Sequence, residues 1–353
     1  MKVRKIAVLR ANAVGDFIFA LPALEAVRAA YPSAEIVLLG LRWHRVFLEG
    51  RPSPIDRVIE VPASRGINEV TGKAEDPNDL NDFFQRMAAE RFDIALQLHG
   101  GGRFSNPFVL RLKAGLTAGL RAPDAVPLDR WVPYVYYQPE ILRYLEVVSL
   151  VGATAQSIMP RVAVMAKDFD EAAAVVPGDL QSVVVLNPGA GDGRRRWPPS
   201  HFAELGDRLS SEGLTIVVHG SEKDRSQVEG VAEAMTKTPV VACGNLSLGG
   251  LTGLLSRARL LVSNDTGPLH LAAAVGTPTL GIYWCGNLIN AGPVARSLHR
   301  PVISWRLNCP ECGRDCATNG CDHHCSFVAD IPVEEVFAAA KELLAFNRPQ
   351  PWI

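Results

Sequence analysis

The chain has 353 residues, 48% of them hydrophobic, which is more apolar material than one core usually holds. Charged residues make up 21% and nearly cancel to a net charge of −1, so no nucleic-acid partner is expected. The basic start Met1–Lys5 is followed by Arg10, Asn12 and Asp16, which interrupt the apolar stretch of a signal peptide. No apolar run of about 18 residues follows that could span a bilayer. We therefore expect a cytoplasmic protein with at most peripheral contact with the inner face of the membrane.

Short β-branched runs alternate with longer segments of helical period in the first half of the chain. This alternation is typical of parallel sheets covered by helices on both faces. It predicts, in order, strand Arg4–Arg10, helix Asp16–Tyr31, strand Glu35–Leu39, strand Arg57–Val61, helix Asn78–Glu90 and strand Phe92–Leu98. Pro32 ends the first of these helices.

The second half repeats this architecture without repeating its sequence. It predicts strand Ser182–Leu186, helix His201–Ser211, strand Leu214–His219, helix Lys223–Met235, strand Val240–Ala242, helix Leu248–Arg257, strand Leu260–Val262, helix Pro268–Val275, strand Thr279–Tyr283 and helix Val333–Phe346. Between the halves, Gly152–Gly178 contains Pro160, Pro177 and the charged cluster Lys167–Glu171, which predicts a linker plus the entry to the second sheet. We therefore expect an α/β protein of two doubly wound domains, residues 1–165 and 166–353.

The loop Ala11–Asp16 joins the first strand to the first helix. Ligands of open α/β sheets bind outside the carboxyl ends of the strands, so such loops are where chemistry is expected. Gly15 lets a ligand approach the backbone, and the helix dipole favours an anion at Asp16. Asp16 is a candidate general base, and the alternative is that it only caps its helix.

The loop Asn187–Ser200 contains three glycines followed by Arg194, Arg195 and Arg196. Flexible backbone amides and guanidinium groups suit a diphosphate, which offers several oxygens to planar donors. The loop has neither the Walker nor the Gly-x-Gly-x-x-Gly spacing. The alternative is a solvated turn.

Two further loops leave strands of the second half. In Ser263–His270, the Thr266 hydroxyl and the unpaired amides of a helix start form a predicted anion site. Asp265 either fixes this loop or meets a sugar hydroxyl, and His270 either donates to phosphate or is a satisfied core residue. Glu222 follows another strand, where a carboxylate suits ribose hydroxyls.

Three motifs follow one another in the sequence: Arg10-x4-Gly15-Asp16 with Leu21-Pro22, then Arg195-Arg196-Trp197-Pro198, then Asn264-Asp265-Thr266-Gly267-Pro268-x-His270. In this order and spacing they resemble glycosyltransferase family 9, the lipopolysaccharide heptosyltransferases, over nearly the whole chain. The resemblance implies a GT-B fold, in which two Rossmann-like domains face each other across a cleft. It also implies inverting transfer, without a catalytic metal or other cofactor, from an ADP-sugar, typically ADP-heptose, to a lipopolysaccharide-type or other glycan.

The resemblance also implies roles for individual residues. The general base of the family falls on Asp16, and its donor-phosphate residues fall on Arg195, Asp265, Thr266 and Gly267. Lysine is usual where this chain has Arg195, which replaces a point charge with a planar fork. The small hydroxyl residues of the preceding loop are replaced by Ala190 and Gly191, so the donor sugar and its base stay open.

The acceptor is expected to be a glycan or glycolipid held by loops of the first domain. The candidate contacts are basic, Arg42, Arg45 and Arg103, with ordinary surface as the alternative. Two other functions remain for the chain as a whole. One is a nucleotide-sugar 2-epimerase, and the other is a sugar-nucleotide-binding protein without catalysis.

Five of the seven cysteines lie between residues 309 and 325. A Cys-x2-Cys pair followed by further thiols and imidazoles has enough ligands for a tetrahedral structural zinc site. The candidate ligands are Cys309, Cys312, Cys316, Cys321 and Cys325, with His323 and His324 beside them. The alternative is free thiols or a reversible disulfide. Because the segment follows the last predicted strand, a metal there would be a staple outside the catalytic centre.

Overall fold

The computed structural model describes residues 3–69, 74–176, 178–316 and 320–345. Contacts divide the chain into two compact units, Met1–Arg161 and Val162–Ile353, a boundary a few residues before the one expected from the sequence. Each unit contains one six-stranded parallel sheet. Pro177 and Phe346, which figured in the predicted linker and last helix, lie outside the described residues. In the described part of the chain, every helix is too short or too polar to cross a bilayer.

In the described residues of the first unit, strands and helices alternate, except that the last two strands follow one another without a helix between them. Its elements are β1 (Lys5–Leu9), α1 (Val14–Ala30), β2 (Glu35–Gly40), α2 (Arg42–Leu48), β3 (Arg57–Glu60), α3 (Pro77–Glu90), β4 (Ile94–Gln97), α4 (Ser105–Leu110), β5 (Leu116–Arg121), β6 (Arg130–Pro133) and α5 (Glu140–Ser149). The sheet order is β3-β2-β1-β4-β5-β6.

The second unit repeats this plan. Its elements are α6 (Ala166–Val175), β7 (Val183–Asn187), α7 (Pro199–Ser211), β8 (Thr215–Gly220), α8 (Arg225–Ala234), β9 (Val240–Cys243), α9 (Leu248–Arg257), β10 (Leu260–Asn264), α10 (Gly267–Ala274), β11 (Thr279–Trp284), α11 (Cys285–Ala291), β12 (His299–Ser304) and α12 (Val333–Ala345). The sheet order is β12-β11-β10-β7-β8-β9. The prediction of two doubly wound α/β units is confirmed.

In both sheets the first strand of the unit pairs with the fourth. Leu9 of β1 lies beside Gln97 of β4, and Asn187 of β7 lies beside Ser263 of β10. The strand order reverses at these two pairs, so the loops on either side diverge and leave a crevice at the carboxyl ends. The fold thereby brings the Ala11–Asp16 loop beside residues after β4, and the arginine loop beside Asp265.

The segment predicted as a linker does contain the boundary between the two units, but its later part forms α6, which was not predicted. Within the charged cluster Lys167–Glu171, Lys167 and Asp170 are exposed, whereas Asp168 is buried together with Ala172. Asp168 accepts a hydrogen bond from the Met165 amide (2.9 Å) at the helix start, and Glu171 accepts from the Ser247 amide (2.5 Å) before α9. The prolines around the segment concealed an amphipathic helix that packs against α9.

Seven further elements were not predicted: α2, α4, β5, β6, α5, α11 and β12. Several are short, and the exposed edge strand β6 has little apolar alternation. Helix α5 has a clear amphipathic pattern, with buried Ile141, Tyr144, Val147 and Val148 at helical spacing. The helix begins directly after Pro139, which is its N-cap residue.

Trp197 anchors the loop between β7 and α7 in the core of the second unit. It is fully buried, its indole N–H donates to the Ile331 carbonyl (2.9 Å), and its ring packs edge-on against Phe202.

We expect Trp197→Ala to lower the free energy of unfolding by about 3–5 kcal/mol, measured by urea denaturation. Trp305, which is 70% exposed, provides the control: Trp305→Ala should change stability little. Equal losses in the two variants would contradict this packing.

Candidate active site

Arg10 connects the ends of β1 and β4 with the start of α1. Its guanidinium donates to the Leu98 carbonyl (2.7 Å), to the Asp16 carbonyl (3.0 Å) and to Oδ1 of Asp16 (3.0 Å). Its side chain is only 2% exposed. Burial opposes its charge, but Tyr144, Asp16 and Glu140 outweigh that effect and raise the pKa of Arg10. A permanent buried cation therefore holds Asp16 in place.

Asp16 presents its carboxylate to solvent from the first turn of α1. Its Oδ2 accepts a hydrogen bond from the Ala13 amide (3.3 Å), so Asp16 caps the helix. Its side chain is nevertheless 36% exposed. Asp16 can therefore cap the helix and also act as a general base, because its carboxylate stays accessible to solvent while bonded to Ala13 and Arg10.

Helix α5 supplies residues that the sequence analysis missed. The Glu140 carboxylate lies 3.7 Å from Arg10 and accepts hydrogen bonds from Tyr144 and Arg143. The Tyr144 ring lies under the Arg10 guanidinium, 4.8 Å from its centroid. These groups fix the cation that fixes Asp16. Their spacing of three and four residues along one helix face was the available signal.

Two buried imidazoles lie near the same crevice. His99 accepts from the Ala11 amide (3.3 Å), and its other nitrogen contacts the Gly66 carbonyl (3.1 Å). Burial and the charge of Arg10 lower the pKa of His99 to about 4, and burial lowers that of His44 to about 3. Both rings are therefore neutral at pH 7, and neither adds positive charge beside Asp16.

The three arginines predicted to meet the acceptor are exposed in the first unit. Arg42 begins α2, and Arg45 on the same helix donates to Glu60 (2.6 Å). Arg103, in the loop after β4, lies 3.5 Å from Asp124. Their side chains are available to a ligand in solution.

In the second unit, a buried amide network joins the loops after β7 and β10. Asn187 donates to the Ser263 hydroxyl (3.2 Å) and contacts the His219 ring through Oδ1 (2.9 Å). Asn264 donates to the Pro188 carbonyl (2.7 Å) and accepts from the Trp197 amide (3.0 Å). The start and the end of the arginine loop are thus both fixed to β10.

Arg195 is the loop arginine that reaches the start of α10. Its guanidinium donates to the Asp265 carbonyl (3.1 Å) and to Oδ2 of Asp265 (3.3 Å), while Oδ1 of Asp265 lies 3.2 Å from His270 Nε2. Asp265 is 2% exposed and Arg195 is 26% exposed. These contacts of Asp265 agree with a role in fixing the loop, rather than with contact to a sugar hydroxyl. Thr266 and Gly267 follow as the N-cap and first residue of α10.

The neighbouring arginines have different contacts. Arg194 forms an ion pair with Asp192 (2.7 Å), and Arg196 donates twice to the Ala190 carbonyl (2.8 and 3.0 Å). These contacts stay within the loop and hold its shape on both sides of Arg195.

Glu222 lies in the loop after β8 and is largely exposed. It accepts two hydrogen bonds from Arg225 (2.6 and 2.7 Å), which lower the pKa of its carboxyl group. A Cβ atom on Gly244, after β9, would lie 2.6 Å from Glu222. Glu222 is thus an ionised acceptor at the carboxyl end of the sheet.

Among the described residues, Cys309, Cys312, Cys321 and His323 converge. Each offers one ligand atom, and these atoms lie within 4.8 Å of one another. Two more predicted ligands lie at the edge of this group: Cys325 is 3.8 Å from Cys309 and Cys316 is 3.5 Å from Cys321, between sulfur atoms. All the cysteines are free thiols.

Residues 80–320 match the model of one protein family, glycosyltransferase family 9 (heptosyltransferase). The chain belongs to glycosyltransferase family 9. It is therefore a glycosyltransferase, and the resemblance seen in its motifs is confirmed.

Individual relatives agree with this assignment. Lipopolysaccharide heptosyltransferase 2 of Salmonella typhimurium is 25% identical over 79% of this glycosyltransferase and 82% of its own length. A solved family 9 structure from Veillonella parvula superposes with a TM-score of 0.80 at 23% identity, covering 98% of both chains. The ADP-heptose heptosyltransferase II of E. coli gives a TM-score of 0.74 at 20% identity, over 96% of this chain and 98% of that one. The predicted GT-B fold is confirmed.

The buried histidines make the stability of this glycosyltransferase depend on pH. Burial lowers the pKa of His219 to about 4, below the 6.5 of the unfolded chain, so acid protonates the unfolded state first. Stability is therefore fully present above pH 6.5 and is lost as pH falls towards 4. His219→Gln should reduce this slope by up to about 1.4 kcal/mol per pH unit, measured by denaturation across that range. His324→Gln, at an exposed position, should leave it unchanged; an unaltered slope in both would contradict the assignment.

Proposed function

We propose that the chain transfers heptose from ADP-heptose to a lipopolysaccharide-type glycan or glycolipid at the cytoplasmic face of the membrane. The proposal is carried by one observation, the Arg195–Asp265 pair at the start of α10. It puts a cation beside Gly267, the first residue of a helix, at the carboxyl end of a doubly wound sheet, where nucleotides bind. The named functions of the relatives supply the sugar and the acceptor class. Membership of a transferase family favours transfer over the epimerase and the non-catalytic binder.

In this proposal the second unit, residues 162–353, binds the donor. Arg195 offers its exposed guanidinium to the diphosphate, and the Thr266 hydroxyl with the Gly267 amide offers neutral donors beside it. Asp265 fixes Arg195 and lies 3.2 Å from Nε2 of the buried His270, so we assign His270 a supporting role and leave the phosphate contacts to Arg195 and the start of α10. Glu222 accepts hydrogen bonds from the ribose hydroxyls.

Asp16 is the proposed general base. It accepts the proton of an acceptor hydroxyl as that oxygen attacks the anomeric carbon, and the bond from this carbon to the diphosphate oxygen breaks. A single displacement inverts the anomeric configuration. Arg195 and the Gly267 amide at the start of α10 stabilise the charge that grows on the leaving diphosphate, so the step needs no divalent cation.

The first unit, residues 1–161, binds the acceptor. Arg42, Arg45 and Arg103 are exposed cations on α2 and in the loop after β4. We propose that they bind the phosphates of a lipid-linked glycan, which brings the protein into peripheral contact with the membrane.

The overall assignment is tested by incubating the protein with ADP-, GDP-, UDP- and dTDP-linked sugars, with and without deacylated lipopolysaccharide acceptor. We expect ADP release from ADP-heptose only when acceptor is present, and a product of inverted anomeric configuration by NMR. Epimerised donor, or binding without turnover, would overturn the proposal in favour of the two alternatives.

Replacing the proposed base tests the mechanism. Asp16→Asn keeps an oxygen for the Ala13 amide but removes the proton acceptor, so kcat should fall by roughly 10²- to 10⁴-fold. Asp16→Ala should lose at least as much activity. Asp82→Asn, an exposed position on α3, is the control and should retain full activity. Near-normal turnover in Asp16→Asn would remove this residue from the mechanism.

Arg195 can be tested through the donor alone. Removing a charged hydrogen-bond donor costs about 1.5–3 kcal/mol, so Arg195→Ala should raise the KM for donor roughly 10- to 100-fold. The KM for acceptor should change little, and Arg195→Lys should be intermediate, because an ammonium keeps the charge without the fork. Lys237→Ala removes an exposed charge from the same unit and serves as control. Equal changes in both KM values would indicate general damage and count against a donor contact.

A further inference from the structure

The segment Asn308–Cys316 forms a tight hairpin around Cys309-Pro-Glu-Cys312-Gly313. The Cys309 amide donates to the Arg314 carbonyl, and the Gly313 amide donates to the Cys309 carbonyl, both at 2.9 Å. Gly313 has a φ of +70°, a left-handed conformation that glycine adopts without strain. This turn carries both cysteines of the Cys-x2-Cys pair.

The first cysteine of the hairpin, Cys309, is buried. Its side chain is 2% exposed and packs against Phe327. Cysteine sulfur is a preferred ligand of zinc, and structural zinc sites are closed to solvent. A buried sulfur therefore suits a structural site better than a solvent-exposed thiol.

A second pair of ligands meets the hairpin from the chain that follows. Cys321 and His323 complete a group of four ligand atoms within 4.8 Å of one another, and Cys309 Sγ lies 3.7 Å from His323 Nδ1. In a tetrahedral site with Zn–S bonds of about 2.3 Å, two sulfurs lie about 3.8 Å apart. The four atoms therefore need only a small contraction to surround one ion.

The second ring nitrogen of His323, Nε2, lies near a carboxylate, as is usual for a metal-bound imidazole. Its Nε2 lies 3.5 Å from the Glu311 carboxylate, within the hairpin itself. A carboxylate at this position orients the ring and leaves Nδ1 free to bind the metal. This contact is independent of the convergence of the sulfurs.

We propose that Cys309, Cys312, Cys321 and His323 bind one structural Zn²⁺. We also propose that this ion stabilises the residues directly after His323, which contact the donor-binding loop. Three thiolates and one imidazole in a closed tetrahedron are ligands typical of structural zinc. Cys316 and Cys325 lie outside this coordination.

The link to the donor loop is made by the residues directly after His323. The Phe327 amide donates to the Arg194 carbonyl (2.8 Å), and the Ser326 hydroxyl donates to the Arg196 carbonyl (2.5 Å). A Cβ atom on Gly193 would lie 2.9 Å from the His324 carbonyl oxygen, so the two segments are in close contact. These bonds flank Arg195 on both sides. The second half of the proposal therefore rests on the proposed role of Arg195 in donor binding.

Metal content tests the site without reference to activity. We expect one zinc per chain in untagged protein by elemental analysis, and a thiolate-to-cobalt charge-transfer band after Co²⁺ replaces the zinc. Cys312→Ser and Cys321→Ser should lose the zinc. Cys285→Ser, on α11 of the same unit, should keep it. Protein without stoichiometric zinc, a disulfide among these cysteines by mass spectrometry, or iron in place of zinc would each overturn the proposal.

Two variants separate the proposed ligands from their neighbours. His323→Ala should lose zinc or bind it more weakly, and Cys325→Ser should retain it; the reverse result would overturn the ligand set. The cobalt spectrum of the unmutated protein keeps the test valid if a variant fails to fold.

The link to the donor loop is tested by ADP binding. Isothermal titration should show affinity for ADP reduced about tenfold in zinc-free Cys312→Ser relative to Cys285→Ser. Unchanged affinity would overturn the link. If zinc-loaded protein binds no ADP, the proposed function fails and the zinc site stands. If the protein contains no zinc but binds ADP, the zinc site fails and the proposed function stands.

Discussion

Each unit contains an ion pair with one buried partner, and the two pairs have opposite polarity. In the first unit the buried partner is the cation: Arg10 is 2% exposed and presents Asp16, which is 36% exposed. In the second unit the buried partner is the anion: Asp265 is 2% exposed and presents Arg195, which is 26% exposed. A buried charge requires a partner, so each exposed group is held in position by the charge behind it. One unit thus offers an anion suited to accept a proton, and the other a cation suited to bind phosphate.

The position of both pairs follows from strand order. Arg10 comes directly after β1 and bonds to Leu98 after β4, while Asp265 comes directly after β10 and meets Arg195 from the loop after β7. At the pairs β1–β4 and β7–β10, the order in which the chain adds strands to each parallel sheet reverses. The crevice that the reversal creates is what lets loops from distant parts of the sequence meet. The proposed chemistry therefore depends on topology as much as on residue type.

Regular periodicity allowed most of the fold to be predicted. Helix α9 was predicted with its observed limits, and the strands of the two sheet centres within a few residues, because apolar runs between loops are local signals. Helix α6 was taken as a linker because its charges and flanking prolines concealed its apolar side. Motifs placed Asp16 and Arg195 in loops after strands. The supporting groups Glu140 and Tyr144 were missed, because they contact Arg10 from a helix more than a hundred residues away in sequence.

In the proposed mechanism, the exposed Arg195 of the second unit binds the donor diphosphate. A crystal structure of the protein with bound ADP tests it most directly. We expect the diphosphate oxygens to lie within hydrogen-bond distance of the Arg195 guanidinium and the Gly267 amide. A diphosphate bound instead by the loops after β1 and β4, beside Arg10, would contradict it.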